Sequence, residues 1–222
     1  TWAYGHVIVD EAQELSPLAW NSLLRRCPSR SFTVTGDLDQ RSSAGRAKSW
    51  SDVLGPAMRA YQGEEILTVS YRTPAAILDR ANALMDELGT PAHYPLVAAR
   101  DVVDAYAKTT TGGSVQELQA VVKAEDAMLS KRVGAGNGRI AVIASPTSIR
   151  HLREACGWGS SLDERICLIT PVESKGLEFD TVILWEPNEI IADFPGDIYV
   201  ALTRPTYRLH AVSSSPLPNA LV

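Results

Sequence analysis

The stretch "VIVDEAQELS", residues 7–16, ends an apolar run on two adjacent carboxylates, Asp10 and Glu11. At the end of a buried strand, one carboxylate can hold Mg²⁺ through water while its neighbour orients or deprotonates an attacking water. Taken alone, such a pair is equally a solvated strand end. A second apolar run closes on "VTGDLDQ", residues 34–40, with Gly36, Asp37, Asp39 and Gln40. Gly36 permits a tight turn, and the Gln40 amide can donate to a phosphate or hold a water. Its plain alternative is a polar turn after a core strand. Two arginines stand out: Arg72, between an apolar run and a helix start, and Arg204, in "YVALTRP". A guanidinium fork suits bidentate phosphate recognition, although a surface arginine near a helix end needs no ligand. In "ESKGLEFDTVIL", Lys175 and Gly176 form a turn and Glu178 precedes an apolar run. Glu178 could accept from a ribose hydroxyl, and Gly176 allows close backbone approach.

These residues need elements to hold them. Short apolar runs at His6–Val9 and Phe32–Thr35 read as strands, each ending at acidic residues, so their carboxylates face the carboxyl edge of a sheet, where open α/β sheets bind ligands. Between them "SPLAWNSLLRRC" reads as a helix with Ser16 as N-cap and Pro17 at the first position. A further helix is expected over Ser51–Tyr61 and a strand over Glu65–Val69. In "YRTPAAILDRANALMDELG", Thr73 is the expected cap, Pro74 the opening residue and Gly89 the close. "DVVDAYAKTT" reads as a strand, and "SVQELQAVVKAEDAMLSKR" as a helix with a capping box at Ser114 and Glu117. "RIAVIAS", "ICLIT" and "TVILW" are buried-strand candidates; a last helix and strand fall within "GDIYVALTRPTYRLHAV". The alternation predicts an α/β fold with a mostly parallel sheet flanked by helices. "GAGNG" at 134–138 is a surface connection.

Composition narrows the class. The 222 residues are 45% hydrophobic with a formal net charge of -5, which argues for a globular chain and against a strongly basic nucleic-acid module. A local basic groove stays compatible with that charge. Cys27, Cys156 and Cys167 are scattered, as are the four histidines, so neither a disulfide framework nor a zinc site is expected. No apolar run approaches membrane-spanning length and no signal peptide opens the chain, the pattern of a cytoplasmic protein. The start, "TWAYGHVIVD", lacks an initiator Met and reaches a core strand at once, and reads as a cut from something longer.

The order of these pieces resembles the motor core of UvrD/Rep-type superfamily 1 helicases. "VIVDEAQ" is similar to motif II, "GDLDQ" to motif III, "YRTP" to motif IV, "ITPVESKGLEFDTVIL" to motif V and "YVALTRPTYRL" to motif VI. The resemblance covers nearly the whole chain. It implies RecA-like folds: the C-terminal remnant of domain 1A over residues 1–63, and domain 2A over 64–222. It implies ATP and Mg²⁺ as ligands, with Asp10 on the metal and Glu11 activating water. Gln40 would sense the γ-phosphate, and Arg72 and Arg204 would be arginine fingers. Asp37, Gly176, Glu178 and Thr203 would surround the nucleotide, with Glu178 at the ribose, and Thr170, Ser174 and Lys175 would meet the nucleic-acid strand.

The chain also departs from that family. No G-x-x-x-x-G-K-[ST] is present, so these residues alone should bind ATP weakly and hydrolyse it hardly at all. "RSSAGRAKSW" replaces a base-stacking aromatic stretch after Gln40, Val172 stands in place of a His, and Pro205 in place of an Ala. The interval from Arg72 to Lys175 is too short for the large accessory domain of processive members. "DEAQELSPLAWNSLLRRCPSRSFTVTGDLDQ" with "LTVSYRTPAAI" resembles instead the actinobacterial HelD branch, "RRCPSRS" being the most branch-like segment. That resemblance implies RNA polymerase as a partner, and ATP hydrolysis coupled to remodelling of nucleic acid or polymerase. The rival readings are a translocating 3'-5' DNA helicase acting on DNA in repair or recombination, and a non-catalytic polymerase-docking module.

Overall fold

The computed structural model describes residues 2–40 and 49–222. The chain divides into two compact units, Thr1–Ile66 and Leu67–Val222.

In the first unit, β1 (Val7–Val9) pairs in parallel with β2 (Phe32–Val34), and helix α1 (Pro17–Arg26) connects them. The Ser16 side chain accepts from the Ala19 amide and Pro17 opens the helix, as the sequence predicts. Val9, Ala12 and Trp20 bury together with Leu54 and Ala57, and the Trp20 ring meets Phe32 edge-on at 6.3 Å. The helix expected over Ser51–Tyr61 is broken. An α-helical turn, α2 (Trp50–Leu54), ends at Gly55, whose φ of +46° leaves the helix, and Pro56 opens a 3₁₀ stretch over Gly55–Ala60.

The second unit holds a five-stranded sheet in the order β5-β9-β8-β6-β7. Its strands are β5 (Tyr106–Thr110), β6 (Ile140–Ile143), β7 (Ile166–Ile169), β8 (Phe179–Trp185) and β9 (Pro205–Ser213), every pairing parallel. A separate parallel pair, β3 (Val69–Ser70) and β4 (Val97–Ala98), precedes it. The strand expected over Glu65–Val69 is thus short and displaced to its last residue.

Period-two alternation divides the sheet's side chains between two cores. Ala141, Ile143, Cys167, Ile169, Val182 and Leu184 face one core, joined by Ile77, Ala81, Leu84 and Met85 of α3 (Ala75–Glu87). Ile140, Val142, Leu168, Ile183 and Trp185 face the other, under Leu118, Val122 and Leu129 of α4 (Val115–Val133) and Ile149 and Leu152 of α5 (Pro146–Cys156). With both faces covered, the strands must be apolar throughout, which is why they read as continuous runs. Helices α6 (Pro187–Asp193) and α7 (Pro195–Leu202) complete the first layer.

The capping box forms as predicted: the Ser114 hydroxyl accepts from the Glu117 amide and the Glu117 carboxylate accepts from the Ser114 amide. The Thr73 cap does not form. Pro74 is the N-cap of α3, while the Thr73 hydroxyl donates to the Thr203 carbonyl at 3.4 Å. That bond ties the start of α3 to the end of α7. Two helices, α5 and α6, were not foreseen. At the close of α3 Gly89 takes φ +67°, as its expected terminating role requires.

Candidate functional site

In the first unit, Asp10 and Glu11 leave the carboxyl end of β1. Asp10 is exposed, and its Oδ1 accepts from the Thr35 hydroxyl at 2.6 Å and the Glu11 amide at 2.9 Å. Those two bonds, Thr35 first, hold its carboxyl below the usual range, so it is an ionised hard-oxygen donor at neutral pH. Glu11 takes φ +50° and ψ +40°, a left-handed conformation that turns the chain immediately after the strand.

Behind the pair lies a residue that motif reading passed over. Gln13 is fully buried; its Nε2 donates to Glu11 Oε2 at 2.5 Å and its Oε1 accepts from the Asp37 amide at 3.1 Å. Asp37 in turn accepts from the Gln40 side chain at 2.9 Å and from the Asp39 amide at 2.9 Å. Burial pushes the Asp37 carboxyl up. A continuous polar chain therefore runs Glu11–Gln13–Asp37–Gln40. Gly36 makes room for it, since a Cβ there would lie 2.3 Å from Gln13 Oε1 and 2.8 Å from the Trp50 ring. The stretch after Gln40 lies outside the described residues from 41 to 48.

In the second unit, five of the expected nucleotide-site residues lie at the amino edge of the sheet. Arg72 Nε and Glu178 Oε1 form an ion pair at 2.6 Å, both side chains about half exposed. Arg100 donates to the Arg72 carbonyl at 2.6 Å and also to the Thr206 carbonyl, bracing this corner. Arg204 directly precedes β9 and is buried. Its Nε donates to the Val200 carbonyl at 3.0 Å and its Nη1 to the Leu177 carbonyl at 3.4 Å, while Nη2 donates to Thr203 Oγ1 at 3.1 Å. A cation is thereby set on the carbonyl end of α7. Thr203 is also buried, its hydroxyl 3.0 Å from the Tyr199 and Val200 carbonyls. Gly176 sits in the turn before Glu178 with φ +68°. A register shift between Phe179 and Thr181 opposite β9 re-aims the strand starts at this point.

The expected strand-contacting residues lie elsewhere. Thr170 follows the carboxyl end of β7, half-buried, and Ser174 is fully buried with its hydroxyl donating to the Pro171 carbonyl at 2.7 Å. Lys175 is half-buried in the following turn. Tyr71, adjacent to Arg72 in "YRTP", is 79% exposed. Among the described residues no cluster of three or more His, Cys, Asp or Glu could hold a metal, and no helix is long and apolar enough to cross a membrane.

No family model matches the sequence, and no curated protein matches it. Solved structures do. The arterivirus nonstructural protein 10 helicase is 15% identical with a TM-score of 0.53, aligned over 99% of this chain and 41% of that one. Its complex with DNA is 17% identical with a TM-score of 0.54, over 96% and 40%. The C-terminal domain of a possible DNA helicase from Lactobacillus plantarum WCFS1 is 20% identical with a TM-score of 0.48, over 69% and 92%. The chain thus spans about two fifths of the arterivirus helicases it matches. The arterivirus likeness shows the fold, the parallel α/β arrangement of a helicase RecA-like domain.

Proposed function

We propose that this chain is part of an ATP-driven superfamily 1 motor of the UvrD-like, HelD type, acting on nucleic acid or RNA polymerase. The first unit is then the end of domain 1A and the second is domain 2A. The observation that carries the reading is the hydrogen-bonded chain Glu11–Gln13–Asp37–Gln40, set beside an ionised Asp10 at a strand's carboxyl end. It links the residue that would activate water to the residue that would sense the γ-phosphate. The solved arterivirus helicase–DNA complex, of the same fold, supports nucleic acid as the track.

The site fits Mg²⁺, which takes one or two carboxylates together with water and substrate phosphates rather than an all-protein cage. Bound there, Mg²⁺ would supply neutralisation of the charge that develops on the phosphate. Asp10 would hold the ion. Glu11, fixed by the Gln13 amide, orients the water and takes its proton. Glu178 accepts from the ribose, which requires it to exchange its Arg72 partner, and Arg72 is then directed to phosphate. Tyr71 offers an exposed ring face to a base. Arg204, anchored on α7, would supply the second guanidinium.

The test is ATP hydrolysis by the full-length protein, alone, with single-stranded DNA and with core RNA polymerase. Glu11→Gln should lower turnover by orders of magnitude with nucleotide binding retained. Near-normal turnover in that variant would remove Glu11 from the chemistry. Polymerase binding with DNA-independent hydrolysis supports the HelD type; DNA-stimulated hydrolysis with duplex unwinding supports a translocating helicase.

A further inference from the structure

The segment "RRCPSR", residues 25–30, takes no part in the nucleotide site, yet its two end residues, Arg25 and Arg30, line a groove of about 590 Å³ in the first unit. The walls are Asn21, Leu24 and Arg25 of α1, Arg30, the Gly55–Pro56 break, and Arg59. No acidic residue lines it, and none of the three arginines has a carboxylate partner among the described residues. The contrast with the rest of the molecule is sharp: Arg72, Arg132, Arg153, Arg165 and Arg208 each hold a carboxylate, and the whole chain carries -5.

Local structure gathers the three charges. Asn21 and Arg25 stand one turn apart on α1, on one face. Arg30 adopts φ +54° at the turn after the helix, a conformation unfavourable for a side chain of its kind. The Gly55–Pro56 break that splits the expected helix brings Arg59 to the same groove. Three unneutralised guanidiniums repel one another, and an anion relieves that repulsion. Their planar donor forks match phosphate oxygens, and the Asn21 amide adds a neutral donor.

We infer that this groove binds successive phosphates of a nucleic-acid backbone, a contact distinct from the nucleotide end of β1. The choice of a nucleic-acid strand rests on the motor reading above; the anion site itself rests on the three arginines.

The experiment is fluorescence anisotropy of a labelled single-stranded oligodeoxynucleotide titrated with the whole chain over a salt series. The comparison is with the triple variant Arg25→Gln, Arg30→Asn, Arg59→Gln, in which Asn is chosen because it tolerates positive φ. Each phosphate neutralised on a single strand contributes about 0.7 to the slope of log K against log salt, so the variant's slope should fall by about 2. That corresponds to about 100-fold weaker binding at 0.1 M salt if the two proteins converge at 1 M. The corresponding triple lysine variant should keep the slope. Arg132→Gln with Arg153→Gln, which remove paired charges in the other unit, should leave it unchanged. An unaltered slope in the triple variant, or no binding by the wild-type chain, overturns the groove. So does displacement of the strand by inorganic phosphate at equal phosphate concentration, which would make it a free-phosphate site. Failure of the motor reading registers separately, in ATP hydrolysis by the full-length protein.

Discussion

Gln13 shows how one buried amide can organise two motifs. It gives its donor to Glu11 and its acceptor to the Asp37 amide, so the orientation of the proposed base depends on the backbone of the second acidic turn. Nothing in the spacing of "DEAQ" announces this, because the partner lies 24 positions away. Gly36 is the counterpart. Gly36→Ala would put a methyl group inside Gln13 and Trp50, and overpacking of that kind costs about 1–3 kcal/mol. The expected outcome is a lowered melting temperature together with weakening of the proposed hydrolysis in the full-length protein. Unchanged stability would mean that Gln13 swings away freely and does not hold Glu11. Residue types exposed the carboxylates to sequence reading, since acids at the ends of apolar runs are chemically conspicuous. The Arg72–Glu178 pair could not be read that way: its partners belong to separate elements and meet only through the sheet.

Among the elements, α4 is fastened to the sheet by a buried charge cluster as well as by apolar packing. Glu125 on α4 accepts from Arg208 Nε at 2.8 Å and lies 2.7 Å from His210 Nδ1, while His210 Nε2 lies 2.7 Å from the Thr109 hydroxyl of β5. Burial pushes the Glu125 carboxyl up, but the bonds to His210 and Arg208 outweigh it and leave the carboxyl below its usual range. A group depressed in the folded state stabilises the fold above its unfolded value and loses that contribution as pH falls through the folded value. The melting-temperature gap between wild type and Glu125→Gln should therefore be widest at neutral pH and close progressively below about pH 4. Glu125→Ala, which strands a buried guanidinium, should cost about 3–5 kcal/mol. A gap constant from pH 7 to pH 3 would show that the cluster contributes by packing alone.

The elements that sequence missed are missed for related reasons. Helix α5 buries only Ile149 and Leu152 along "PTSIRHLREAC", a thin stripe on a polar helix, and α6 is a short helix behind a proline. The strands were legible because both faces of the sheet are covered and demand unbroken apolar runs. The break in the helix predicted from Ser51 was written in Gly55–Pro56, a stronger punctuation than the surrounding apolar spacing.

At the scale of the molecule, the two units have separate cores, and the second has one on each face of its sheet. Residues from Leu67 onward should therefore fold when expressed alone, giving one cooperative transition in denaturant; a broad, non-cooperative loss of signal would show that they depend on the first unit. The strand order carries a consequence for synthesis. Among the described residues, edge strand β5 pairs only with β9, the last strand of its sheet in chain order, with Tyr106 opposite Leu209. Of this sheet's strands, a ribosome delivers β5 first and β9 last. At about 5–20 residues per second, β5 waits several seconds with its hydrogen-bonding edge unsatisfied. During that interval the nascent sheet cannot close, and the chain's exposure to chaperones and to mispairing is set by the clock of translation.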